Sequence, residues 1–155
     1  MANPADLRIC LDVASLTAKR TGSVTGNIWV SVDDITFPGV SWHDFPVPVL
    51  EWWARAVISL RRGKGGSARC SFMDGPFAFN LVRLSSEKWQ IQLLDCHGDT
   101  EQLEYSAEVR PDQVIHEFQR ISASLLDYLD QHELRSPDIE RLRRAHVGLI
   151  DLGIG

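Results

Sequence analysis

Four stretches of this chain carry residue types that can do chemistry. The first is DCHGD, Asp95–Asp99. A thiolate nucleophile needs a histidine within hydrogen-bond reach and a third group to orient it, and Asp95, Cys96 and His97 supply the three types. Adjacent side chains on a strand point to opposite faces, however, so direct neighbours make a poor dyad. Asp and Gly are also ordinary turn residues, and a hairpin turn is expected here. The second stretch is WHD, Trp42–Asp44. His43 could share a metal with His97 if the fold joined them, but no HxxxH, HxH or CxxC spacing supports a metal site. Asp44 reads as a cap for the following helix or for the turn leading into it, and Trp42 as a lid on the core.

The third stretch, RRGKGGSAR from Arg61 to Arg69, invites a phosphate-loop reading. It lacks GxxxxGK followed by Ser or Thr, and its glycines follow a helix where a P-loop opens one. The plainer reading is a solvated helix end, with basic residues matched to the negative end of the helix dipole. A basic loop could still touch RNA or an acidic partner. The fourth is the acid set Glu101, Glu104 and Glu108. Paired carboxylates do acid–base work only in a cleft that shifts them. On an open strand face they read as solvated surface, or as a docking face for a basic partner.

The elements that must position these residues follow from periodicity. Leu7, Ile9, Leu11 and Val13 alternate with less apolar residues, which predicts a strand with one buried face and places Cys10 on the other. Ile28, Val30 and Val32 predict a second, hairpin-paired strand, with Trp29 on its opposite face. DDITFPGVSWHDFPVP reads as a loop. A helix should begin near Pro48, since proline is tolerated in the first helical turn.

Stepping about 100° per residue along that helix puts Val49, Leu50, Trp53, Ala56, Val57 and Leu60 in one arc. Trp53 sits in its middle, Trp52 at its edge beside Arg55 and Ser59, and Ile58 on the far side. Two large apolar residues therefore stand off the core stripe. From Ala68 to Val109 four strands separated by DGP, SSEK and HGDT turns predict an antiparallel meander. In the last, Leu103, Tyr105, Ala107 and Val109 face one way and Glu104 and Glu108 the other. A long helix should start at Pro111 and a short one at Pro137, capped by Ser136. VGLIDLGIG reads as a last edge strand or an apolar tail.

These elements predict a single α+β domain over residues 1–155. Its order is β-β-α-β-β-β-β-α-α, with one mostly antiparallel sheet of about six strands and helices on one face. The length of 155 residues suits one domain. Net charge is −5 and the isoelectric point about 5.5, which disfavours a general nucleic-acid binder. Cys10, Cys70 and Cys96 are odd in number and lack CxxC spacing, so reduced thiols and a cytoplasmic location are expected. No secretory leader or membrane span is apparent, and no cofactor is implied.

VSWHDFPVPVLEWWARAV and the FMDGPFAF…WQIQLLD meander, in a small acidic α+β chain, resemble the small bacterial immunity proteins of polymorphic toxin systems. That resemblance covers about a third of the chain and transfers no site residue. It implies a non-enzymatic protein that neutralises a cognate toxin, or another basic protein partner, by binding it. The expected partner surface is Trp52 with Ile58, together with Glu104 and Glu108. The alternatives are a small hydrolase or metal-dependent enzyme built on Asp95, Cys96 and His97, and a structural or oligomerising subunit.

Overall fold

The computed structural model describes residues 3–152. The elements are β1 (Leu7–Ala18), β2 (Val24–Val32), β3 (Ile35–Phe37), β4 (His43–Asp44), α1 (Pro46–Arg61), β5 (Ser67–Ser71), β6 (Phe77–Arg83), β7 (Trp89–Asp95), β8 (Gln102–Val109), α2 (Pro111–Gln131) and α3 (Pro137–Ile150). The fold is α+β, but the strands form two antiparallel sheets of four. One holds β1, β2, β3 and β4; the other is the meander β5-β6-β7-β8. A single parallel bridge, in which Ala5 N–H donates to the Glu108 carbonyl at 2.7 Å, joins them.

Three expectations need correction. The stretch from Asp33 to Pro48 is not all loop, since β3 and β4 pair with β2 inside it. The strands form two four-stranded sheets where one of about six strands was expected, because only the bridge from Ala5, just before β1, to Val109 of β8 links them. The final helix does not stop at His146 but runs on through Val147–Ile150. Leu142, Ala145 and Leu149 are buried there, and their i, i+3, i+7 spacing continues a helical stripe. Of the expected tail, residues 153–155 lie outside the described residues.

Two strands depart from strict alternation, and each does so at a bulge. Between Asp12 and Thr17 the β1–β2 register shifts. The Ser15 hydroxyl fills the broken ladder, donating to the Asp12 carbonyl at 2.6 Å and accepting from Asn27 N–H at 2.8 Å. Val13 is consequently exposed, not buried. Leu16 turns inward over Gly26, where a Cβ would stand 2.6 Å from the leucine side chain. In β8, Leu93 faces Tyr105 while Leu94 faces Leu103. Glu104 is therefore the extra residue of a bulge, and a bulge flips what precedes it to the other face. Leu103 is 53% exposed as a result.

α1 packs on β5 and β2, α2 on β1, and α3 on the two other helices. Trp53 is fully buried among them, edge-on to Phe72, Phe79 and Phe118. Its indole N–H donates to the Ser71 carbonyl at 2.7 Å, so the ring both fills the core and caps β5.

Candidate binding surface

The DCHGD stretch ends β7. Asp95 and His97 pair with one another, and His97 lies edge-on to Phe77. Cys96 turns the other way, with Arg69 Nη2 3.0 Å from its Sγ; Arg69 also pairs with Glu101 at 2.7 Å. The thiol and the imidazole are thus divided between two sets of contacts just past the end of β7. His43 hydrogen-bonds Asn27 across β4–β2 at 3.3 Å. Among the described residues, no three His, Cys, Asp or Glu side chains gather as a metal site. Cys10, Cys70 and Cys96 are unpaired. Burial pushes the Cys70 thiol far up. Burial, then the Glu117 charge, also raises Cys10.

Of the buried polar residues, Asp44, Glu117 and Ser122 hold elements together, while Glu51 pairs with Arg55 inside α1. Asp44 accepts from the Trp42 indole at 3.0 Å, Phe45 N–H at 2.7 Å and Asp74 N–H at 3.2 Å. It does not cap α1, whose N-cap is Phe45 with no side-chain bond. Instead it ties the Trp42 loop to the turn before β6. Trp42 lies edge-on to Phe72 and Phe77, as a lid would.

Along the free edge of β1, α2 supplies hydrogen bonds that a neighbouring strand would otherwise provide. Gln113 accepts from Leu7 N–H at 3.1 Å and donates to the Leu7 carbonyl at 2.6 Å. Two residues on, Glu117 accepts from Ile9 N–H at 2.7 Å, and Arg120 donates to the Ile9 carbonyl at 3.0 Å. Burial works to raise the Glu117 carboxyl. The Arg120 hydrogen bond, the Ile9 amide and the Arg8 charge overcome it and hold the group below its ordinary value.

Sequence reasoning missed the pair formed by Ser122 and His146, whose Oγ and Nδ1 are 2.6 Å apart. A serine–histidine contact invites a nucleophile reading. The Ser122 hydroxyl is 1% exposed and bonds the Phe118 carbonyl at 2.8 Å, so it is a tie between α2 and α3. Burial, followed by the Arg143 charge, lowers the imidazole, while Asp127 opposes the shift. No local signal could have announced it, because the partners stand 24 residues apart on separate helices.

The expected partner residues are dispersed. Trp52 is 40% exposed on α1. Ile58 is half-buried. It packs in the α1–α3 contact, where a Cβ on Gly148 would stand 2.9 Å from its Cδ1. The starts of the two helices also lie together, Pro48 and Phe45 sharing a surface with Ser136 and Pro137; the helices therefore run side by side in the same direction. Glu108 pairs with Gln90, and Gln90 with Val82. That row lies on the opposite face from Leu81, Ile91 and the core. Trp52 and Glu108 thus stand on opposite sides of the meander, and Glu104 is exposed at the bulge.

Beside the α1–α3 contact is a groove of about 370 Å³ with five cations on its walls, Arg55, Arg62, Lys64, Arg141 and Arg144. Its one carboxylate, Glu51, is buried and already paired with Arg55 at 3.1 Å. Arg141 pairs with Asp138 on its own helix. Arg62, Lys64 and Arg144 form no ion pair among the described residues. The spacing Arg55–Arg62 and Arg141–Arg144 puts each set on one helix face, but nothing in the spacing says that the faces meet. Comparison of the chain with family models, with curated proteins and with solved structures gave no match.

Proposed function

We propose that this protein is a non-enzymatic binding protein, and that the partner it binds and neutralises is a cognate protein toxin. The observation that carries the binding reading is Trp52. Of the five tryptophans, Trp53 and Trp89 are buried, Trp29 and Trp42 are half-buried, and only Trp52 is exposed. The fold does not need the ring where it stands, because Trp53 already occupies the core position of that helical turn. An exposed tryptophan is unfavourable in water and is the residue type most enriched at interface hot spots. The toxin as partner rests on the resemblance of the SWHDF–EWWARAV region to immunity proteins.

Charge divides the remaining candidates. Trp52 shares α1 with Arg55 and Arg62, whereas Glu104 and Glu108 lie across the sheet. A partner seated on Trp52 meets cations first, and the two glutamates act on it only at long range. The test is complex formation with the protein captured from the native host, followed by coexpression of the pair. Binding should suppress the captured protein's toxicity. Trp52→Ala should weaken the complex by about 2 kcal/mol with the thermal midpoint of the free protein little changed. Full affinity and full protection by Trp52→Ala would reject this surface.

A further inference from the structure

We infer that the α1–α3 groove is a docking site for an acidic polypeptide segment, an extended stretch of a protein partner with carboxylates flanking an aliphatic side chain. The inference rests on the reading of this chain as a protein-binding protein and supplies the chemistry of the bound segment. Its starting point is charge. The chain as a whole is acidic, with a net charge of −5, yet five cations and one carboxylate line this groove. Among the described residues Arg62, Lys64 and Arg144 form no ion pair, and like charges on facing walls repel one another. The arrangement is favourable only when an anion lies between them.

The shape narrows the class of anion. Between the cations the floor is Ile58, Ala145 and Gly148, small and aliphatic. Gly148 leaves α3 close against Ile58, and the groove remains shallow above that contact. Single-stranded nucleic acid is bound by aromatic platforms on which bases stack, and no aromatic residue lines this groove. A floor of this kind suits an aliphatic side chain. From Glu51 to Arg62 the wall is about 16 Å long at the helical rise, enough for about five residues of extended chain. Arg62 and Arg144 present planar forks that suit carboxylates, while Arg55 keeps Glu51 and Arg141 keeps Asp138.

The test uses the whole protein and a fluorescein-labelled peptide, Glu-Asp-Leu-Asp-Glu, followed by anisotropy. Saturable binding should weaken as salt rises, since the attraction is screened. The double variant Arg62→Glu, Arg144→Glu should lose at least about tenfold in affinity while its circular dichroism and thermal midpoint stay those of the parent. Arg62→Ala and Arg144→Ala singly should lose less, and Glu104→Gln, across the sheet, nothing. The amide peptide Gln-Asn-Leu-Asn-Gln should not bind, and neither pyrophosphate nor a short oligothymidylate should displace the acidic peptide at equal charge. Equal binding of the amide peptide, retention by the charge-reversed variant, or preference for the phosphate compounds would overturn the inference. So would absence of peptide binding. If the peptide fails while Trp52→Ala still breaks the partner complex, the groove falls and the binding-protein reading stands. If the peptide binds and no protein partner exists, the reverse holds.

Discussion

Two helix seams of this molecule use charge in opposite ways. Where α2 lies along β1, the central charged pair has a task. Glu117 and Arg120 bond each other and also the amide and carbonyl of Ile9, while Gln113 does the same for Leu7. An edge strand offers unpaired backbone groups that invite pairing with another chain, and here a helix covers them with side chains. Where α1 lies beside α3, the contact is made by Ile58 and Gly148, and the cations above it are mostly unspent. Charge at the first seam is part of the structure. Charge at the second is available to something else.

The largest effect should come from the ring that belongs to both halves of the molecule. Trp53 stands on α1 and meets Phe118 of α2 at 6.4 Å between ring centroids. Trp53→Ala should lose about 3–5 kcal/mol, the usual cost of truncating a buried aromatic, and the lost cap on Ser71 adds to it. Trp52→Ala, one residue away, should lose far less. Comparable chemical unfolding midpoints for the two would show that the two tryptophans do not divide into a core and a surface residue.

The seams themselves are compared by Glu117→Ala and Arg144→Ala. The first leaves Arg120 and the Ile9 amide without their acceptor and should cost about 3 kcal/mol, as when a buried pair loses one member. Removal of an exposed cation that forms no ion pair among the described residues should stay within about 0.5 kcal/mol. If the two variants unfold at the same denaturant concentration, the contrast between structural and available charge is wrong.

A smaller effect separates the seams by pH. His146 is held below its ordinary value of 6.5 by burial and Arg143. The unfolded chain therefore takes up the proton more readily than the folded one. Stability is full above the ordinary value and is lost as pH falls through the depressed folded value. Unfolding followed between neutral pH and about pH 5 should show this loss, and His146→Gln should flatten it. A slope that is unchanged in His146→Gln would assign the dependence to other groups.

Smallest of all, Arg62→Ala should leave both the unfolding midpoint and its pH dependence where they were. A clear stability loss would mean that Arg62 has a structural partner after all.

Local pattern was a good guide wherever one face of one element decided the outcome. The 100° step along α1 separated Trp53 from Trp52, and the structure buries one and exposes the other. Pro111 and Pro137 open the two later helices, and Ser136 accepts from Ile139 N–H at 3.2 Å as its cap. The same logic failed at Val13 and Leu103, because a bulge adds residues to one strand without marking the sequence and breaks the alternation across it.

What a helix or strand face meets is a different question from which residues share it. The order of apolar residues left Ile58 stranded on the polar side of α1, since only α3, nearly ninety residues later by the span from Ile58 to Gly148, gives that side something to pack against. Gln113, Glu117 and Arg120 are polar residues of α2 that gain partners only because β1 is laid beside them. The groove has the same origin. Five cations in two stretches of an acidic chain are ordinary surface charges by composition, and they become a site only when α1 and α3 run side by side. Periodicity records the local geometry of 3.6 or 2 residues per repeat, and it determined the class of fold and most core residues of the helices and of the unbulged strands. The pairing of faces is a long-range choice made by burial and hydrogen-bond satisfaction across the whole chain. It decided the split into two sheets, the cover on β1 and the convergence of charge between α1 and α3.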